Sequence, residues 1–167
     1  LKKRKKPFTG FLYAGLMIKN NEPYLIEYNV RMGDPECQVI LPRLQSDLFE
    51  IINAVTKNKL KNIKIKWKHL KCITTVLCSK GYPKTYKKNR CIHNFYKLNF
   101  DKSSTIFHAG TKKIDNKLFA VGGRVLNITS TGRSYLDIRN VIIKILKKIN
   151  WKYGFYRKDI GWRVIGK

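Results

Sequence analysis

Glu27-Tyr28-Asn29-Val30-Arg31-Met32-Gly33-Asp34-Pro35-Glu36 gathers three of the chain's ten acidic residues into ten positions, against 36 Lys+Arg and a formal charge of +26. Tyr24 to Val30 reads as a strand. Alternation along it places Leu25, Glu27 and Asn29 on one face and Tyr24, Ile26, Tyr28 and Val30 on the other. Glu27 and Asn29 are then neighbours, about 7 Å apart along the backbone. A carboxylate and an amide oxygen side by side suit a hard cation such as magnesium, which takes oxygen ligands and shares them with nucleotide phosphates. Arg31 points the same way by alternation, and its guanidinium can grip phosphate or a developing acyl-phosphate charge. The competing reading is an exposed strand carrying ordinary surface charges.

Upstream, Phe11 to Ile18 is a second apolar run, and the intervening Lys19-Asn20-Asn21-Glu22-Pro23 has turn chemistry, so the two runs form an antiparallel hairpin. Downstream, Asp34 and Pro35 read as an N-cap and first helical position, with the helix interrupted before Pro42. Ser46 reads as the cap of a second helix whose Leu48, Ile51, Ile52 and Val55 form one buried stripe. From Lys57 to Lys71 lysine and asparagine dominate, and Ile63, Ile65 and Trp67 alternate with lysines, which predicts a linker with a short edge strand. Beyond it, Cys72 to Ser79, Thr105 to Gly110 and Leu118 to Thr131 read as strands, with turns at Gly81-Tyr82-Pro83 and Asp115-Asn116. Ser134 caps a long helix with Ile138, Val141, Ile142, Ile145, Leu146 and Ile149 at helical spacing, and Asp137 gives a variant capping box. The end, Trp151 to Ile165, reads as irregular and then extended. The expected organisation is α+β: a first unit at 1–57, a lysine-rich linker at 58–71, and a small mixed sheet with one long amphipathic helix at 72–167.

A chain of 167 residues holds one domain or two small modules, and 43% hydrophobic content with 12% aromatics excludes a disordered polycation. No apolar run approaches the roughly 18–20 residues a membrane-spanning helix needs, and the basic start, Leu1 to Lys6, has no apolar segment behind it, so a cytoplasmic protein without a membrane partner is expected. The charge points first to nucleic acid. Yet 27 Lys, 19 Ile and 13 Asn make up 59 of the 167 residues, and all three have A- and T-rich codons, so compositional drift produces the same excess. Lysines outnumber arginines 27 to 9, whereas base reading favours arginine. A basic nucleic-acid-binding module, with Trp67 as its stacking residue, is the alternative function. Cys37, Cys72, Cys78 and Cys91 form no C-x-x-C pair, and Cys91-Ile92-His93 lacks a second ligand pair, so the cysteines read as reduced packing residues.

The stretch quoted at the outset resembles the end of the ATP-grasp domain in the glycinamide ribonucleotide synthetase (phosphoribosylamine-glycine ligase) family, which carries E-[FY]-N-x-R-[FM]-G-D-P-E. The resemblance extends to Gly10-Phe11-Leu12-Tyr13-Ala14-Gly15-Leu16-Met17 before it and to Ser46-Asp47-Leu48 after it. It continues through Ser79-Lys80-Gly81-Tyr82-Pro83, Phe107-His108-Ala109-Gly110-Thr111, Gly122-Gly123-Arg124-Val125-Leu126 and Tyr156-Arg157-Lys158-Asp159-Ile160-Gly161, in the family's order. Two departures bear on one loop: Lys84 stands where the family has glycine, and Lys87 to Phe95 lacks the expected glycines.

The resemblance implies that 1–57 is the C-terminal part of an ATP-grasp domain and 72–167 the family's C-terminal domain. It implies an ATP-dependent carbon-nitrogen ligase of purine synthesis using ATP, glycine and 5-phosphoribosylamine, with Mg2+ (or Mn2+). Carried over residue by residue, Glu27 and Asn29 hold the metal, Arg31 steadies the transferring phosphoryl or acyl phosphate, and Gly33 and Asp34 shape the amine-substrate pocket. Gly122, Gly123 and Arg124 are a candidate phosphate contact, with a tight turn as the plainer explanation of the glycines. His108 reads as a packing histidine. The family's upstream nucleotide-gripping strands do not fit into Leu1 to Thr9, so the chain is expected to be an incomplete portion that needs the missing upstream part and is inactive alone.

A lysine surface without a selected ligand binds polyanions through neutralised phosphates only. Matched single- and double-stranded oligonucleotides should therefore bind weakly, lose affinity steeply across a salt series and show no sequence preference, with Trp67→Ala indistinguishable from the parent. Discriminating binding near physiological salt that collapses in Trp67→Ala would identify a nucleic-acid module instead.

Overall fold

Asn20 and Asn21 both adopt left-handed backbone, φ 53° and 63°, as a two-residue turn between antiparallel strands requires. In this computed structural model, which describes residues 2–5, 7–99 and 101–166, that turn joins β1 (Tyr13–Lys19) to β2 (Glu22–Asn29). Leu1 and Lys6 of the basic start, Phe100 and Lys167 lie outside the described residues. Pro23, expected in the turn, is already in β2. It sits at the edge of a two-stranded sheet, where a missing N–H is tolerated.

The chain divides into two compact units, Leu1–Lys68 and His69–Lys167. The expected linker at 58–71 is therefore corrected over most of its length. Residues 60–62 make a short 3-10 turn. The backbone then returns to 43–46: Gln45 N donates to Lys66 O at 3.0 Å, Lys68 N to Arg43 O at 2.8 Å, and Lys66 N to Ser46 Oγ at 2.8 Å. The edge strand reduces to one bridge between Leu44 and Trp67. Exposed lysine side chains made this segment look solvated, but its backbone polar groups still take partners.

Helix starts in the first unit also shift. Helix α1 spans Cys37–Ile40, not a segment opening at Asp34, and its cap residue Glu36 makes no side-chain capping bond. Pro35 has no N–H to contribute, and the first closing bond runs from Cys37 N to Gly33 O at 2.9 Å. Helix α2 spans Leu48–Thr56 and is capped by Asp47, which accepts from Phe49 N at 2.7 Å and Glu50 N at 3.2 Å. Ser46, the expected cap, instead gives its hydroxyl oxygen to Lys66. The buried positions of α2 are Ile51 and Ala54, while Ile52 is exposed, so the expected stripe is rotated.

The second unit contains β3 (Lys71–Ser79), β4 (Arg90–Cys91), β5 (Ser104–His108), β6 (Thr111–Ile114), β7 (Lys117–Ala120), β8 (Arg124–Gly132), α3 (Tyr135–Ile149), β9 (Gly154–Phe155) and α4 (Trp162–Ile165). The α+β class stands, but the single mixed sheet is corrected to two sheets, β5-β8-β3-β9 and β4-β7-β6, in which every pairing is antiparallel. Leu118 to Thr131, read as one strand, is broken at residues 121–123 into β7 and β8, which belong to different sheets. Residues 162–165, expected to be extended, form α4 instead. Asp115 and Asn116, both left-handed, turn β6 into β7.

Every residue from Val125 to Ser130 is buried, so β8 is covered on both faces. Helix α3 packs on β8 and β3 through Ile138, Ile142, Ile145, Leu146 and Ile149, each contributing roughly 1.5–3 kcal/mol by burial. Ser134 Oγ accepts from Asp137 N at 3.4 Å, the first half of a capping box, and Asn150 closes the helix in left-handed backbone. Buried hydroxyls pair within the sheet, Ser104 with Ser130 at 2.7 Å and Thr129 to Thr74 at 2.8 Å, which removes the penalty for lone polar groups.

Gly110 and Gly122 lie back to back. A Cβ on Gly110 would stand 2.5 Å from Gly122 Cα, 2.7 Å from Arg124 O and 2.8 Å from Gly122 N, all backbone. Gly110→Ala should destabilise the second unit by about 1–3 kcal/mol in urea unfolding. Gly166→Ala, with nothing within 4 Å, should stay within about 0.5 kcal/mol of the parent.

Candidate functional site

The hairpin register builds the site. Gly15 pairs with Glu27 and Leu16 with Leu25, which leaves Ile26 as an extra residue on β2. Such a bulge breaks the alternation. Directly paired residues share a face and consecutive ones on β1 do not, so Leu25, expected beside Glu27, lies on the opposite face with Leu16. Tyr13, Gly15, Glu27 and Asn29 occupy the other face together. Glu27 and Asn29 are neighbours as the sequence indicates: Asn29 Nδ2 donates to Glu27 Oε1 at 2.8 Å.

Gly15 is buried and leaves room for this arrangement. A Cβ there would come within 3.2 Å of Glu27 Cγ and 3.6 Å of Tyr13 Cε1, so the Glu27 chain and the Tyr13 ring both lie against the glycine. Strand β2 ends at Asn29, so alternation does not aim Arg31. Its guanidinium is turned by its own loop, Nη1 donating to Met32 O at 2.8 Å, and its charge still acts on Tyr13.

Gly33 is buried in that loop. A Cβ on it would collide with Glu36 Oε2 and stand 3.2 Å from Tyr13 Cε2. Tyr13 OH donates to Glu36 Oε1 at 3.3 Å. Asp34 is exposed and accepts from Gln38 Nε2 at 3.5 Å. The structure thus brings Glu27, Asn29, Arg31 and Gly33 around Tyr13, with Asp34 at the edge. Tyr13 and Glu36 were not picked out as site residues from the sequence. Glu36 stood within the acidic stretch, and Tyr13 in a matched block, but only the register joins them.

The Glu36 carboxylate, partial desolvation, the hydrogen bond to Glu36 and the Glu27 charge together hold the Tyr13 phenol above its ordinary pKa, with Arg31 opposing. The residue types fit a hard cation, a carboxylate and a side-chain amide standing as neighbours on an exposed face; here the amide nitrogen faces Glu27 Oε1, and the Asn29 side chain would have to turn its oxygen towards a bound ion. Among the described residues no group of three or more His, Cys, Asp or Glu could hold a metal by itself.

In the second unit, the Gly122-Gly123-Arg124 turn is accounted for by packing. Ser79 Oγ donates to Gly122 O at 2.8 Å and Ser79 N to Gly123 O at 2.7 Å. A Cβ on Gly123 would collide with the Tyr82 ring. Arg124 pairs with Cys78 across the strands, and burial pushes the Cys78 thiol up while Arg124 opposes it. His108 Nδ1 lies 2.9 Å from Thr111 Oγ1 and its ring packs edge-on against Phe95, so it is partnered. Of the four cysteines Cys78 is fully buried, and Cys37, Cys72 and Cys91 are half-buried.

Residues 72–163 match the family described as "Phosphoribosylglycinamide synthetase, C domain", and residues 1–37 match "Phosphoribosylglycinamide synthetase, ATP-grasp (A) domain". The phosphoribosylamine–glycine ligase of Brucella melitensis is 45% identical over 159 residues, covering 95% of this chain and 37% of that protein. The ligase of the same name from Agrobacterium fabrum is 45% identical over 161 residues, 96% of this chain and 38% of that protein. The crystal structure of phosphoribosylamine–glycine ligase from Thermotoga maritima superposes with a TM-score of 0.78 at 30% identity, covering 95% of this chain and 38% of that one. The chain therefore spans less than two fifths of the length of these relatives.

With Glu36 as the largest influence on the Tyr13 phenol, Glu36→Gln should bring its titration down towards the ordinary tyrosine range. Carbon NMR of ring-labelled tyrosine, with Tyr13→Phe assigning the signal, checks this. An unmoved titration would mean the carboxylate does not face the phenol in solution.

Proposed function

This chain belongs to the phosphoribosylglycinamide synthetase family, and from that premise we propose that it supplies one wall of an ATP-dependent ligase site joining glycine to 5-phosphoribosylamine. The observation that carries the reading is the Glu27–Asn29 pair, joined at 2.8 Å on an exposed face of the hairpin beside Tyr13, which also feels the Arg31 charge. Glu27 and Asn29 would hold Mg2+ (or Mn2+), which when bound neutralises charge on the ATP phosphates.

In the proposed reaction a glycine carboxylate oxygen attacks the γ-phosphorus of ATP, giving glycyl phosphate and ADP. The amine of phosphoribosylamine then attacks the acyl carbon, inorganic phosphate leaves, and the nitrogen gives up a proton to form the amide. Chemistry of this kind rests on positioning and charge neutralisation more than on a protein nucleophile. Arg31 would steady the phosphoryl group through the N–H groups it does not give to Met32. Gly33, which is buried, and Asp34, which is exposed, would help shape the amine-substrate pocket. Close packing accounts for both Gly122 and Gly123, and a phosphate contact at Gly122, Gly123 and Arg124 stays the secondary proposal.

The hairpin also carries exposed apolar residues on both faces, among them Leu16, Ile18, Tyr24, Leu25, Ile26 and Tyr28. A two-stranded sheet is marginal in water. The partner proposed for these faces is the polypeptide corresponding to the part of the relatives that this chain does not match.

ADP release with glycine and phosphoribosylamine should be absent with the 167-residue chain and appear when that further polypeptide is supplied. Robust turnover by the chain alone would contradict the shared-site reading. In the reconstituted ligase, Glu27→Gln and Asn29→Ala should each lower turnover about 10- to 100-fold at limiting magnesium and recover partly at high magnesium. Their stability should change by no more than about 0.5 kcal/mol. Parental rates in both variants at limiting magnesium would remove the metal role.

A further inference from the structure

Tyr13 and Glu36 are 23 positions apart, on β1 and at the start of α1, yet they meet over Gly33. The Tyr13 ring borders both glycines of the site: a Cβ on Gly15 would be 3.6 Å from it and one on Gly33 3.2 Å. It is also the register partner of Asn29. One side of the ring thus faces the Glu27–Asn29 pair and the other the loop that carries Arg31, Gly33 and Asp34. Glu36 is half-buried, with one oxygen on the Tyr13 hydroxyl and the other over Gly33. The loop's own closure is the backbone bond from Cys37 N to Gly33 O at 2.9 Å, with weaker contacts from Cys37 Sγ to Met32 Sδ at 3.6 Å and Gln38 Nε2 to Asp34 Oδ1 at 3.5 Å. Any side chain on Gly33 would evict the carboxylate.

We infer that Tyr13 is a positioning residue of this site: together with Glu36 it forms a strut that fixes the 31–36 loop against the hairpin, and so sets Arg31 relative to Glu27 and Asn29. This rests on the ligase reading for its catalytic consequence but not for the strut itself. Two residues acting through one contact lose their effect together, so a double variant should be no worse than the worse single one.

The test has two arms. In the 167-residue chain, amide exchange of the 31–37 segment should quicken about tenfold or more in Tyr13→Leu and Glu36→Gln and less in Tyr13→Phe, which keeps the ring. Peptides from α3 and β8 should not change, so misfolding would be visible as their acceleration. In the reconstituted ligase, Tyr13→Phe and Glu36→Gln should lower kcat about tenfold with KM for ATP within about twofold of the parent, and the double variant should match the worse single. Unchanged exchange at 31–37 in both Tyr13→Leu and Glu36→Gln, or losses that multiply in the double variant, would overturn the proposal. Lack of turnover in the unsubstituted reconstituted protein would count against the ligase reading, and the exchange arm would then decide the strut.

Discussion

Two strands joined by a two-residue turn pair residue for residue unless one strand carries an extra residue, and here it does. Ile26 has no partner, so Glu27 falls opposite Gly15 and on the same face as Tyr13 and Asn29. The site follows from that one-residue offset. Without it, strict alternation would put Leu25 beside Glu27 and move Tyr13, Gly15 and Met17 relative to the acidic strand. Gly15 contributes as well, because a Cβ there would press on the Glu27 stem at 3.2 Å and touch the Tyr13 ring at 3.6 Å. The two-asparagine turn fixes where pairing starts, and the bulge resets it partway along.

A comparable economy of space organises the second unit. Ser79, Gly110 and Gly122 belong to three separate sequence blocks but share one small volume, tied by Ser79 to Gly122 and Gly123, and by Gly110 to Arg124 and Gly122. This is where the chain leaves one sheet for the other. A backbone crossing that closely leaves no room for Cβ atoms, and the blocks read as motifs because of it. The same geometry gives the glycine pair a packing reason: close backbone approach leaves no space for a Cβ at either position.

Charge and fold are separable in this molecule. The lysines lie mostly on exposed positions, while the core of the second unit is built from isoleucine, leucine, valine and paired hydroxyls. A long ammonium side chain in water contributes little to which fold forms, so a lysine-rich composition can accumulate over an inherited architecture. The lysine-rich stretch 58–68 illustrates the point. Its lysine side chains are exposed, yet at 66–68 its backbone bonds to residues 43–46.

Local physics was sufficient to read the hairpin, both asparagine turns, the Ser134 cap and the apolar stripe of α3, because each depends on residues within a few positions of one another. The adjacency of Glu27 and Asn29 was equally local, since positions two apart on a strand share a face whichever register the strand adopts. The face of Leu25, the loss of Ser46 as a helix cap, the split of 118–131 into two strands and the fate of the expected linker were not local. Each turns on a partner far along the chain: Gly15 for Glu27, Lys66 for Ser46, Gly110 for Gly122, Arg43 for Lys68. Composition and spacing determined which residues could do chemistry here. Only the tertiary structure decided that Tyr13 and Glu36 stand among them, because a one-residue bulge and the missing side chains of Gly15 and Gly33 are what bring those two groups together.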